Sequence, residues 1–169
     1  MGAEVIKNNE FTDVNKAIRT YVERMDTAKG FKITSTDLTY SNFFQNKMLI
    51  IHSIRHGFPY NLFSLIKEVT PFTESDWAKY LNLSIKTLHR YKKEAAFHFK
   101  PIHTEKIIEL AEVTNFGKEV FDSIDQFYTW LNTPSYALGN LKPAELLNDS
   151  YGKDLVMGEL NRIDQGIFV

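Results

Sequence analysis

The sequence predicts an all-α protein built from several helices. Apolar residues between Val14 and Met25 recur at intervals of three and four, which places them on one face of a helix. Residues that begin or end helices recur along the chain at distances that suit helices of ordinary length. Apolar and polar residues nowhere alternate over more than a few positions, so we expect no strand.

The first half of the chain is expected to contain three helices and one irregular connector. The first helix follows the apolar stripe and ends before residues 30–41, which are rich in Thr and Ser. The second spans residues 42–56, and Gly57 would end it in a left-handed cap. Pro59 suits the first turn of the third helix, which ends before Pro71.

The second half of the chain is expected to continue as short helices joined by turns. Residues that cap, open or precede these helices are Thr73 with Asp76, Ser84, Thr104, Ser123, Pro143 and Gly152. Pro134 and Gly139 predict a compact turn, and Gly166 predicts the end of the last helix.

Length and composition limit the class of protein. The 169 residues suit one domain, or two small ones that share a core. The absence of cysteine excludes disulfide bonds and thiolate metal sites. The N-terminus has no basic segment followed by an apolar one, and the longest strongly apolar run, residues 48–51, is too short to cross a bilayer. We therefore expect a cytoplasmic protein.

Patterns typical of catalysis or metal binding are weak. His52 and His56 have a spacing that metals use, but no third ligand stands nearby, so an ordinary histidine pair is the commoner explanation. Asp122 and Asp125 flank a helix start, where negative charge is favoured. The eight glycines form no phosphate-binding pattern. We predict no enzymatic activity, no cofactor and no metal ion.

Charge is distributed unevenly although the net charge is only -1. Residues 84–106 contain six Lys or Arg against two Asp or Glu, whereas residues 107–169 contain four against ten. A local basic segment can bind phosphates because salt screens charges that lie farther away than about 8–10 Å. The acidic C-terminal third would be repelled by DNA, so we expect it to face a protein partner or solvent.

The stretch TESDWAKYLNLSIKTLHRYKKE, residues 73–94, has the spacing of a helix-turn-helix unit. Such a unit needs an apolar set that packs two helices at a steep angle, a small residue at their crossing and a turn residue that accepts positive φ. Ala78 supplies the small residue, Asn82 the turn, and Ser84 the cap of the second helix. The apolar set is Trp77, Leu81, Leu83, Leu88 and Tyr91.

The second helix of this unit would present a polar and basic face to solvent. With its apolar residues inward, the outer face carries Ser84, Ile85, Lys86, His89, Arg90 and Lys93. Arg and Lys at such positions contact guanine edges and phosphates in the major groove. The alternative is a helical hairpin whose basic residues only solvate the surface. Because the motif coincides with the basic segment, we interpret the unit as DNA-binding.

The C-terminal third carries many residues at a distinctive spacing within residues 121–169. They are Trp130, Leu131, Pro134, Ala137, Leu138, Gly139, Pro143, Leu146, Leu147, Gly152, Val156, Leu160, Ile163 and Gly166. This set resembles the toxin-binding domain of the Xre/MbcA/ParS-like antitoxins. The resemblance extends back through HGFP, residues 56–59, and the helix-turn-helix to about residue 47. Asn140 and Gly117 depart from it, since the family often has glycine and alanine there.

The resemblance implies the antitoxin of a type II toxin–antitoxin pair. The partner of such an antitoxin is a RES-domain toxin, which consumes NAD or transfers ADP-ribose from it. The C-terminal domain would cover the toxin active site, the helix-turn-helix would repress the shared operon, and family members commonly form homodimers. The resemblance suggests that toxin-binding residues lie at the end of the chain: Arg162, Gly166, Ile167, Phe168 and Val169.

Three domains follow from these patterns. We predict an N-terminal helical extension over residues 1–46, a helix-turn-helix domain over 47–113 and a small helical toxin-binding domain over 114–169. Two other functions stay open at this point. One is a stand-alone transcriptional regulator whose C-terminal domain serves oligomerisation. The other is an orphan antitoxin that has kept protein binding but lost DNA binding.

Overall fold

The computed structural model describes residues 11–29 and 37–167. Within them the regular secondary structure is helical, so the all-α prediction is confirmed. The helices are α1 Thr12–Lys29, α2 Tyr40–Phe43, α3 Lys47–His56, α4 Tyr60–Glu68, α5 Glu74–Tyr80, α6 Ile85–Lys93, α7 Pro101–Val120, α8 Ile124–Leu131, α9 Pro143–Leu146 and α10 Ser150–Asp164, with a 3-10 turn at Tyr136–Leu138. None of these described helices combines the length and apolarity that crossing a membrane requires.

Two compact units divide the chain. The first combines Met1–Val69 with His89–Glu105, and the second combines Thr70–Leu88 with Lys106–Val169. The division falls inside α6 and inside α7, so each of these helices contributes residues to both units. It differs from the three consecutive domains expected from the sequence, because packing gathers segments that are distant along the chain. The predicted domain boundaries remain a prediction.

The core of the first unit forms around the apolar face of α1. Five residues of the predicted stripe are buried, Val14, Ile18, Tyr21, Val22 and Met25, whereas its sixth residue, Ala17, is half-buried. This face packs against α4, and four phenylalanine rings, those of Phe43, Phe58, Phe63 and Phe99, are almost fully buried in the same unit. The stripe therefore serves the protein's own core, where burying each large apolar side chain contributes about 1.5–3 kcal/mol.

Buried hydrogen bonds tie the turn between α3 and α4 to the start of α7 within the first unit. The Phe58 N–H donates to Thr104 Oγ1 at 3.1 Å, and the Thr104 hydroxyl donates to the Phe99 carbonyl at 3.3 Å. The Phe99 N–H donates to the Phe58 carbonyl at 2.8 Å, beside an isolated antiparallel bridge from Pro59 to His98. These three bonds form what we call the Phe58–Thr104 clamp.

The clamp corrects one predicted helix start. Thr104 does not cap α7, because the helix begins at Pro101 and Thr104 lies buried inside it. Its hydroxyl is occupied by the backbone of Phe58 and Phe99 instead. Gly57, beside the clamp, has φ +86° and ψ 142°, so it ends α3 with positive φ but not in the predicted left-handed helical conformation.

Two other predicted boundaries differ from the structure. The helix expected over residues 42–56 is divided into α2 and α3, because Asn46 caps α3 by accepting the Leu49 N–H at 3.0 Å. Gly152 lies inside α10 rather than before it, and Asp149 caps that helix by accepting the Gly152 N–H at 2.7 Å. Part of the expected connector, residues 30–36, lies outside the described residues.

Partly buried ion pairs hold the second unit together. Lys153 Nζ donates to Glu112 Oε2 at 2.7 Å, which attaches α10 to α7. Lys106 Nζ donates to Glu109 at 3.0 Å and to the Leu147 carbonyl at 2.9 Å. Two carboxylates of the acidic C-terminal third are therefore engaged inside the unit. For these two residues, the expectation that the acidic charge faces a partner or solvent is wrong.

Gly117 leaves room for a ring in the apolar part of the second unit. The core there includes Trp77, Phe127, Leu131, Val156 and Leu160, all fully buried. A Cβ on Gly117 of α7 would overlap the Phe127 ring, so α7 and α8 can pack this closely only with glycine at the contact. The glycine that departs from the family pattern thus has a packing reason.

We expect Gly117→Ala to destabilise the protein although alanine favours helices. The added methyl group would displace the Phe127 ring, and overpacking of this kind costs about 1–3 kcal/mol, more than the helix propensity gained. Urea unfolding measures the change. The double variant Gly117→Ala/Phe127→Leu should recover part of the loss, and a single variant as stable as the parent would contradict the close contact.

Candidate functional site

The helix-turn-helix begins with a capping box at α5. The Asp76 N–H donates to Thr73 Oγ1 at 3.1 Å, and the Thr73 N–H donates to Asp76 Oδ2 at 2.9 Å. These two bonds satisfy backbone donors that the first helical turn leaves without partners. The predicted start of this helix is confirmed.

The turn between α5 and α6 has the predicted geometry. Ala78 is buried, and its carbonyl accepts the Leu83 N–H at 2.9 Å, which closes the turn. Asn82 has φ +53°, a conformation that Asn accepts more readily than most residues. Ser84 Oγ accepts the Thr87 N–H at 3.0 Å and thereby caps α6.

Tyrosine hydroxyl groups link α5 to later parts of the second unit. Tyr80 donates to the Ala144 carbonyl at 2.8 Å, and Tyr128 donates to Asp76 Oδ2 at 3.4 Å. Burial and the nearby Asp76 carboxylate raise the pKa of both Tyr80 and Tyr128, so both phenols stay protonated and remain donors at neutral pH. The first helix of the motif is therefore fixed by polar contacts as well as by its buried Trp77.

All six residues predicted to face DNA are exposed. They are Ser84, Ile85, Lys86, His89, Arg90 and Lys93. Those within α6 occupy one side of this continuous helix, an arc of about 140° at 100° per residue. Leu88, on the other side, is fully buried, and Tyr91 is half-buried with its ring stacked 4.1 Å from that of Phe97. The inward and outward sides of α6 thus agree with the predicted register.

The guanidinium of Arg90 lies 5.5 Å from the centre of the Tyr91 ring and forms a loose ion pair. Its Nε lies 3.8 Å from Glu94 Oε1, and the two side chains are 67% and 50% exposed. Pairs this open contribute little to stability, typically less than about 1 kcal/mol. The guanidinium can therefore leave Glu94 for another acceptor at small cost.

The structure describes three of the five predicted toxin-binding residues at the end of the chain. Arg162 is half-buried, with Nη1 3.3 Å from Glu159 Oε2. Gly166 has φ +72° and ends α10 as predicted, while the exposed Ile167 donates its N–H to the Arg162 carbonyl at 2.8 Å. Phe168 and Val169 lie outside the described residues.

An exposed apolar stripe on α10 was not predicted. Tyr151 is 87% exposed and Leu155 is 58% exposed, and they share one side of the helix with Gly158 and Arg162. The opposite side, which includes Val156, is buried. We call the four residues Tyr151, Leu155, Gly158 and Arg162 the α10 stripe. Their spacing of four, three and four was visible in the sequence, but it does not show which side of the helix is exposed.

Further exposed apolar residues precede α10 in the same unit. Tyr136 in the 3-10 turn is 78% exposed, and Leu141 is also exposed. The turn between them is closed by the Ser135 N–H, which donates to the Leu141 carbonyl at 3.0 Å. Large exposed apolar side chains that cluster in one segment are typical of interaction surfaces.

The histidine pair contributes to packing. His56 and His52 are half-buried, and the His56 ring lies 5.7 Å from the Tyr21 ring and 5.5 Å from the His98 ring. Among the described residues, no three or more His, Asp or Glu side chains come together in a way that could hold a metal ion.

Two family comparisons cover most of the chain. Residues 50–112 match the antitoxin Xre-like helix-turn-helix domain. Residues 117–166 match the antitoxin Xre/MbcA/ParS C-terminal toxin-binding domain. The first match contains the helix-turn-helix unit, and the second contains the α10 stripe. No individual curated protein matches the chain significantly.

We expect the turn at Asn82 to tolerate glycine but not a β-branched residue. Asn82→Gly should change the free energy of unfolding by less than about 0.5 kcal/mol, because glycine accepts positive φ freely. Asn82→Val should cost about 1–2 kcal/mol, the penalty of a bulky residue in this region. Thermal unfolding of the two variants checks this, and equal stability would show that the turn does not need positive φ.

Proposed function

Because the chain belongs to the Xre/MbcA/ParS-like antitoxins, we propose that it neutralises a RES-domain toxin and represses its own operon. The toxin would consume NAD or transfer ADP-ribose from it, and the C-terminal domain of this chain would bind it in the cytoplasm. The chain itself would act by binding alone, without catalysis. The observation that carries the proposal is the α10 stripe, which lies within the residues that match a toxin-binding domain.

Repression would depend on the exposed side of α6. Lys86, Arg90 and Lys93 supply positive charge along this side, and Ser84 stands at the N-terminal end, where short polar groups approach bases. Release of counterions from DNA phosphates would supply much of the affinity and make it strongly dependent on salt. Arg90 is the best candidate for reading guanine, because its weak pairing with Glu94 leaves the guanidinium fork available.

A homodimer would complete the DNA-binding function. One helix-turn-helix reads only a few base pairs, whereas two related by a two-fold axis reach successive major grooves of a palindromic operator. The apolar residues of α1 between Val14 and Met25 are mostly buried, which argues against their use as the dimer contact. The dimer contact would therefore use exposed residues outside this set.

Toxin binding would use the apolar side of α10 and the end of the chain. Tyr151 and Leu155 offer a large aromatic and an aliphatic side chain that the unit leaves in solvent. Aromatic and Arg side chains dominate the energetics of many interfaces, and Arg162 lies on the same stripe. We retain Gly166, Ile167, Phe168 and Val169 as proposed toxin contacts, because they follow directly after this helix.

The absence of a side chain at Gly158 would allow a partner to approach α10 closely. Apart from its chain neighbours and the nearby backbone of α10, a Cβ built on Gly158 meets no described atom within 4 Å, so the fold does not require glycine there. Glycine inside a helix costs roughly 0.5–1 kcal/mol relative to alanine. A residue that lowers stability without serving the described packing fits a position where a partner's backbone comes near.

A stand-alone regulator is the second candidate function. The α10 stripe could pair with its counterpart in another copy, since a two-fold interface joins identical surfaces. Size-exclusion chromatography with light scattering separates the candidates. If Leu155→Asn converts a dimer into monomers and no toxin gene neighbours this one, the stripe serves oligomerisation.

Two substitutions on α6 should affect DNA binding differently. We expect Arg90→Ala to cost about 1–3 kcal/mol at the operator and to relax specificity at one position, whereas Lys93→Ala should weaken all DNA about equally. Gel shifts on the native promoter and on unrelated DNA, at stated salt, measure both. Lys142→Ala, which removes an exposed charge from the C-terminal domain, is the control. No shift by the parent protein at low salt would refute DNA binding.

Gly158→Ala should stabilise the protein and weaken toxin binding together. We expect a gain of about 0.5–1 kcal/mol in unfolding free energy, because the methyl group meets nothing in the described protein. At the interface the same methyl group would force the partner away, at a cost of about 1–3 kcal/mol. Unfolding experiments and pull-down of the co-expressed neighbouring toxin give the two readouts.

Leu155→Asn and Asp164→Asn provide a matched comparison. Both replace exposed residues of α10, but only Leu155 lies on the stripe. We expect Leu155→Asn to abolish growth rescue from the toxin and Asp164→Asn to preserve it. Point substitutions suit this test, because deleting the end of α10 from Glu159 onward would remove the fully buried Leu160. Rescue by both variants would place the toxin interface elsewhere.

A further inference from the structure

The first unit contains a large open cleft whose walls come from three separate segments. It has a volume of about 1080 Å³ and lies between α1, the first residues of α4 and the segment that follows α6. This volume lies slightly above the usual range for small-molecule sites, roughly 300–1,000 Å³. All of its lining residues belong to the first unit.

Positive charge lines the cleft. Lys16 and Arg24 come from α1, where they stand eight residues apart on one side of the helix, a separation of about 12 Å. Lys92 approaches from the end of α6. Among the side chains that the structure describes, those of residues 11–25 and 37–167, none of these three cations is paired with a carboxylate. Glu94 is the one carboxylate among the described lining residues, and its ion pair is with Arg90, outside the cleft.

Aromatic rings form the apolar part of the lining, and other rings hold them in place. Tyr21 packs edge to face on Phe58 at 5.2 Å, and its hydroxyl donates to the Gly57 carbonyl at 3.1 Å. The Phe97 ring stacks on Tyr91 at 4.1 Å and 18°. A fixed apolar lining of this kind can receive a planar ring without first having to become ordered.

We infer that this cleft binds a nucleoside phosphate. The cations Lys16, Arg24 and Lys92 would contact the phosphate groups, and the half-buried Phe97 ring would contact the base. Guanidinium groups suit phosphate oxygens because they donate two parallel hydrogen bonds. The site uses side chains from distant segments instead of a glycine-rich loop, so sequence patterns do not indicate it. The inference goes beyond the proposed function and does not depend on it.

Calorimetric titration of the full-length protein tests the inference with three probes. ATP carries both the base and the phosphates, tripolyphosphate lacks the base, and adenosine lacks the phosphates. We expect ATP to bind at least about tenfold more tightly than either of the other two. Lys16→Gln and Arg24→Gln should each weaken ATP binding about three- to tenfold, since each removes a charged hydrogen-bond donor.

Arg55→Gln is the matched control, because Arg55 is an exposed cation of the first unit that does not line the cleft. We expect it to leave ATP binding unchanged, and circular dichroism confirms that each variant is folded. Absence of ATP binding at millimolar concentration overturns the inference, as does equal binding of ATP and tripolyphosphate. An equal loss in Arg55→Gln would show attraction by net charge only, which also overturns it.

Gel shifts and toxin rescue, measured on the same variants, keep this inference separate from the proposed function. If Lys16→Gln and Arg24→Gln weaken DNA binding while the parent protein binds no ATP, the cleft contacts DNA phosphates and the inference is wrong. If ATP binds as expected but no DNA or toxin is bound, the cleft assignment stands and the proposed function fails.

Discussion

The first unit depends on one buried hydroxyl group, that of Thr104. It accepts a hydrogen bond from Phe58 and donates one to Phe99, while the backbones of those two residues bond directly. Each bond contributes only about 0.5–1.5 kcal/mol, but a buried donor or acceptor left without its partner costs more. The clamp therefore fixes the segment after α6 against the turn before α4. Both the stacked ring of Phe97 and one wall of the cleft belong to that segment.

In the second unit, one side of α10 packs into the core and the other side faces solvent. The inward side of α10 buries Val156 and Leu160, and Lys153 reaches Glu112 of α7. Partly buried pairs of this kind are costly to break, because the remaining charge would lose its partner away from bulk water. With its inward side held by apolar and ionic contacts, α10 can present Tyr151 and Leu155 to solvent on a rigid support. The inward side of α10 thus contributes to stability, and the outward side is available for binding.

Local signals in the sequence predicted much of the fold. The cap at Thr73, the turn at Asn82 and the cap at Ser123 all involve groups within a few residues of each other, so their chemistry is visible in a short window. The prediction that Thr104 caps a helix was wrong because its hydroxyl bonds to a distant residue. The Phe58 N–H that donates to it lies 46 residues away along the chain. The exposure of Leu155 could not be predicted, because an apolar residue at helical spacing suits a core and an interface equally. The cleft required the packed structure, since its walls are distant along the chain.

The glycine at position 158 has a consequence for the local dynamics of α10. Because it adds backbone freedom in mid-helix, we expect amide hydrogens around it to exchange with solvent faster than those in the buried stretch of α7. A partner seated on the stripe would suppress these openings and slow the exchange. Part of the binding free energy would then be spent on ordering the helix. The affinity of the complex would therefore depend on how rigid α10 is before the partner arrives.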